Sequence, residues 1–115
     1  MSTYRYKVIN ALSEAGIRKA AEHDDWRVRR SMAWNKCLPK DLIRPMADDP
    51  MGGVRMAIAQ RRCLPLDLVR KLSKDSDWMV RMAIAQKGRL PSDVVESLSK
   101  DSSPVVREVL AERYH

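Results

Sequence analysis

Val54, Ala57 and Ile58 fall at i, i+3 and i+4, with Arg61 at i+7, which is one face of an α-helix closing on a cation. The same letters, VRMAIAQ, return at Val80 to Gln86 and predict a second helix with the same apolar face. Between them, LPLDLVRKL sets Leu64, Leu68, Val69 and Leu72 on another apolar stripe. It places Pro65 where a first helical turn tolerates it, and Asp67 where a carboxylate suits the positive helix end. Only about two turns fit before Ser73, Lys74 and Asp75, so this second element is expected as a short α-helix or partly as 3-10 helix.

The pattern repeats every 26 residues, through Val28, Val54, Val80 and Val106, each followed by arginine at 29, 55, 81 and 107. Leu38, Leu64 and Leu90 precede Pro39, Pro65 and Pro91 in the same register, and Asp49, Asp75 and Asp101 complete it. The units run 23–48, 49–74 and 75–100, with a partial unit at 101–115. Two helices this short bury little alone, whereas stacked copies cover one another, so the expectation is an all-α, single-domain solenoid of about three and a half repeats. Residues 1–22 match poorly and are expected to form a helical N-terminal cap using Tyr4, Val8, Leu12 and Ile17. At the other end Glu108 and Glu112 replace the inner Met and Gln, as an outward cap requires, while Val106 and Leu110 stay on the inner side.

The order VR-x-A-x-A, then Leu-Pro, an acid with two aliphatics, and an Asp before the next VR resembles the leucine-rich repeat variant family, which is similar in shape to HEAT-like repeats. The resemblance spans roughly residues 20 to 111. It implies a right-handed superhelix alternating α-helices with 3-10 or short second helices. Some members bind an iron–sulfur centre through an N-terminal cysteine cluster; the first 22 residues here contain no cysteine, so no cofactor is expected.

Composition narrows the function. The 115 residues are 44% hydrophobic and 32% charged, in the range of an ordered domain, and a net charge of +7 favours acidic partners. No apolar run approaches the roughly 18 residues of a membrane span, and polar and basic residues follow Met1, so the expected location is cytoplasmic, with no membrane partner. There is no glycine-rich phosphate loop and no supported Cys–His pair, so the chain is expected not to be an enzyme. Cys37 and Cys63 hold equivalent places one unit apart, about 10 Å by helix packing distance, too far for a disulfide. They are expected as buried or half-buried free thiols, without a metal.

The arginines at 29, 55, 81 and 107 are either a phosphate ladder or, as the favoured expectation, partners of aspartates. Asp49, Asp75 and Asp101 lie six residues before Arg55, Arg81 and Arg107, a spacing that in HEAT-like repeats reflects a hydrogen-bonded ladder linking neighbouring turns. Arg29, preceded by His23, Asp24 and Asp25, is expected to pair differently. A second basic column, Lys36, Arg61, Arg62, Lys87, Arg89 and Arg113, gathers at the ends of the first helices, either as a binding strip or as a solvated edge diluted by Asp41, Asp67 and Asp93. Trp26 and Trp78 are expected to fill gaps over small neighbours. Trp34 shares its register with Gln60, Gln86 and Glu112 and is expected to face solvent beside Arg30 and Lys36, as an interface anchor or as packing under the N-terminal cover. The leading expectation is therefore a non-catalytic protein-binding scaffold. The alternative is a nucleic-acid-binding module whose basic edge tracks phosphates, and self-association through an incomplete terminal cap is a further possibility.

Overall fold

The computed structural model describes residues 13–114. The expected cap residues Tyr4, Val8 and Leu12, and His115, lie outside them. The described residues form eight α-helices and one 3-10 segment, with no strand. In chain order these are α1 (Glu14–Ala20), α2 (Trp26–Trp34), the 3-10 turn Lys40–Leu42, α3 (Ile43–Met46), α4 (Gly52–Ala59), α5 (Leu66–Leu72), α6 (Trp78–Ala85), α7 (Ser92–Ser99) and α8 (Pro104–Tyr114). No helix among them is long and apolar enough to cross a membrane.

Local chemistry sets the helix starts. Ser13, Asp25 and Asp77 cap α1, α2 and α6 by accepting from main-chain amides two or three residues on. Pro65 and Pro91 stand at the N-cap of α5 and α7, one place earlier than a first-turn proline, with φ −56° and −58°. The equivalent stretch of the first unit breaks into the 3-10 turn and α3. Pro45 explains the break: it has no amide to bond the Asp41 carbonyl, so the turn after Pro39 cannot continue as one α-helix.

Helix α2 packs on α4, α4 on α6, and α6 on α8, while α7 lies against α8. Val54, Ile58, Val80, Ile84 and Val106 are completely buried along this series, with Ala57 and Ala83 between them, so the duplicated residues share matching interior positions. Ala59 and Ala85 are also fully buried, and small side chains there let neighbouring helices approach. Leu68, Leu72, Val94 and Leu98 cover the series from the short helices, and Ile17 of α1 closes the core at the start. In α8, Val106 and Leu110 face inward while Glu108 and Glu112 are exposed. The described chain measures 42 × 29 × 23 Å.

Candidate functional site

The first arginine column is locked internally. Arg29, Arg55 and Arg81 each grip the aspartate 20 residues later, Asp49, Asp75 and Asp101, with Nε and Nη2 donating to the two carboxylate oxygens at 2.8–3.1 Å. Their Nη1 atoms donate backward to main-chain carbonyls, from Arg29 to His23 and Asp24, from Arg55 to Asp49 and from Arg81 to Asp75. Each aspartate also accepts from an amide two residues ahead, at Met51, Asp77 and Ser103. These side chains keep only 7–16% of their surface exposed. Arg29 thus pairs as its equivalents do, contrary to expectation, because Asp49 of the following unit supplies its carboxylate. Burial alone would raise the Asp101 carboxyl, but hydrogen bonds from Arg81 and the Ser103 amide outweigh it and hold the group below its ordinary value.

A second ladder of ion pairs runs through the short elements. Arg18 binds Asp41, Arg44 binds Asp67 and Arg70 binds Asp93, each through two guanidinium nitrogens, and Lys71 reaches Asp48. These pairs are about half exposed. The arginine hydrogen bonds hold the Asp41, Asp67 and Asp93 carboxyls below their ordinary range. The three aspartates therefore neutralise Arg18, Arg44 and Arg70, and do not dilute the basic column at the ends of the first helices as expected. Arg18, Arg44 and Arg70 recur at the 26-residue period, so the signal was present in the sequence.

The basic column divides in two. Arg61 donates through Nη1 to the carbonyls of Ala33 and Asn35 at 2.8 and 2.9 Å, closing the end of α2, and the Lys87 ammonium donates to the Arg61 carbonyl at 2.6 Å. Burial pushes both groups below their ordinary values. Tyr114 continues the series: its hydroxyl donates to the Lys87 carbonyl and accepts from the Leu90 amide. The side chains of Lys36, Arg62, Arg89 and Arg113, by contrast, are exposed and make no hydrogen bond or ion pair among the described residues.

Those four cations line one furrow. A hollow of about 620 Å³ is walled by Trp34, Lys36, Gln60, Arg61 and Arg62. It shares Gln60 and Arg62 with an open groove of about 920 Å³, whose wall includes Leu66, Gln86, Lys87, Arg89 and Arg113. A smaller hollow of Gln86, Val109, Glu112 and Arg113 continues the line. Seven of the eight residues singled out from the sequence thus meet along one edge of α2, α4, α6 and α8. The eighth, Arg30, stands behind it, its guanidinium 5.0 Å from the Trp26 ring and 5.1 Å from the Trp34 ring.

Trp34 is 47% exposed, and its indole Nε1 donates to Gln60 Oε1 at 2.7 Å, tying α2 to the end of α4. Trp26 lies over Gly53, where a Cβ would come within 2.6 Å of the ring, as expected of a gap-filler. Trp78 instead remains 43% exposed. Cys37 and Cys63 are free but exposed, a correction to the expected burial: the turn after each first helix carries them outward. Cys63 and Arg89, equivalent in register, both adopt left-handed backbone with φ 56° and 59°.

Comparison with models of known families, with curated proteins and with solved structures finds no match.

Proposed function

We propose that the chain is a non-catalytic binding scaffold: a short right-handed solenoid of about three and a half 26-residue turns, of the leucine-rich repeat variant type, that takes an acidic protein partner along the furrow. The serial packing of α2, α4, α6 and α8, the arginine bonds spaced 20 residues apart and the 42 Å long axis support the repeat architecture. The handedness and the family rest on the resemblance alone.

One observation carries the functional reading. Among the described residues the side chains of Lys36, Arg62, Arg89 and Arg113 make no ion pair or hydrogen bond and gather along the furrow, whereas the other exposed cations of that kind, Lys19, Lys40 and Lys74, line no part of it. Unneutralised charge beside an exposed tryptophan is the composition of a protein interface anchor. The test is capture of partners from native cells by the full chain and by Trp34→Ala. The scaffold reading expects a protein retained by the first and lost by the second, and equal retention removes Trp34 from the interface. Duplex DNA is the competing ligand. Three furrow cations on phosphates would give a slope of log affinity against log salt near about −2.7, and such binding, with no captured protein, would replace the protein partner by nucleic acid.

A further inference from the structure

We infer that the furrow is a track for an extended acidic peptide with a carboxylate at every third residue, an inference that rests on the binding-scaffold reading. The cations Lys36, Arg62, Arg89 and Arg113 come one from each successive layer, after α2, α4, α6 and at the end of α8. Layers of packed helices are separated by about 8–10 Å, so one cation per layer gives a mean pitch of that order, with Lys36 and Arg62 in the same register position, Arg89 one place after it and Arg113 one place before it. A polyproline II segment has three residues per turn and rises about 3.1 Å per residue, so every third side chain returns to the same face after about 9.3 Å. A flat β-strand returns after about 6.8 Å and falls out of step. A duplex strand rises ~3.4 Å per phosphate, so it would also return a phosphate to each layer but with about three negative charges for every cation, an excess that the spaced peptide avoids.

The furrow also offers what a polyproline II backbone requires. Such a segment has no internal hydrogen bonds, so its carbonyls need external donors. Gln60 and Gln86 are exposed one unit apart on the furrow wall. Gln60 Oε1 is already engaged by the Trp34 indole, which leaves the amide nitrogen as its donor toward a ligand. The exposed Trp34 ring at one end gives a face on which a proline ring packs. Glu112 beside Arg113 sets the acidic limit of the track at the other end.

The experiment is fluorescence anisotropy of the full chain with three labelled probes at ~50 mM salt, where screening is weak. The probes are four Glu-Pro-Pro triplets, a block peptide with the same four Glu followed by eight Pro, and a twelve-nucleotide single-stranded DNA. The spaced peptide is expected to bind about tenfold tighter than the block peptide, the sum of several modest exposed pairs in register. The double variant Arg62→Ser, Arg89→Gly is expected to lose about tenfold of that affinity with unchanged circular dichroism; glycine suits the left-handed backbone at position 89, so the loss is not one of folding. Equal affinity for the two peptides overturns the three-residue register, and tighter binding of the oligonucleotide overturns the peptide as occupant. Absence of peptide binding overturns the track itself. In each of these cases Trp34-dependent capture of a native protein still reports separately on the scaffold reading.

Discussion

Arg55 and Arg62 belong to the same stretch of chain, yet one is spent on the fold and the other is held in reserve. Arg55 directs all its donor nitrogens at Asp75 and the Asp49 carbonyl, and little of it meets water. Arg62 stands at the opposite end of α4 with no partner among the described residues and looks into the furrow. A guanidinium is structural where the next unit delivers a carboxylate in fork geometry, and available for a ligand where it delivers none. The register decides which: Asp75 stands 20 residues after Arg55, whereas the equivalent of Arg62 one 26-residue unit on is Gly88.

The sharpest way to break this contrast is to remove the carboxylate. Asp75→Ala strands a nearly buried guanidinium and is expected to cost about 3 kcal/mol in urea denaturation, against less than about 0.5 kcal/mol for Arg62→Ser. Comparable losses from both would erase the distinction. Arg61→Ala comes next, since it frees the Ala33 and Asn35 carbonyls at a partly buried helix end; a loss of about 1–2 kcal/mol is expected by the same measurement. A gain is expected from Cys63→Gly, about 0.5–1 kcal/mol, by relieving left-handed backbone at an exposed turn; a fall in the thermal midpoint would contradict the strain assigned there. Arg44→Ala, which removes an exposed rung, should leave the midpoint within error of the parent.

Acid distinguishes the two regions once more. The Asp41, Asp67, Asp93 and Asp101 carboxyls are held below their ordinary values in the fold; the first three are exposed and add little, so the contribution that counts is that of Asp101 in its largely buried pair, complete above the unfolded value of about 3.9 and lost as pH falls through the folded value. The urea midpoint should therefore drop below about pH 4. A midpoint unchanged from pH 5 to pH 3 would mean the Asp101 carboxyl titrates alike in folded and unfolded chains.

What could be read from the letters was whatever the period repeats. Val54, Ala57 and Ile58 recur as Val80, Ala83 and Ile84 because each meets the same packed neighbour, and their helical spacing exposes the all-α character directly. Lys36 with Arg62, and Arg61 with Lys87 and Arg113, were legible as columns for the same reason, whereas Arg89, in the register of Cys63, joins them only by its place after the helix. The pairing of particular charges was not, because a ladder seen as Asp six residues before Arg is equally a ladder with Asp twenty residues after it. Only the stacked geometry shows that the carboxylate comes from the later aspartate and the earlier one lends its carbonyl. The exposure of Cys63 escaped for a different reason: it depends on one positive φ in a turn, which cysteine does not advertise and glycine would have.

The cross-unit bonds of both ladders and of the Trp34–Gln60 contact join residues only 20 to 26 positions apart. Short loops are cheap to close, so such a chain is expected to reach its native state quickly for its length. Under tension the same locality is expected to let the rungs yield one after another, so that the chain lengthens in steps.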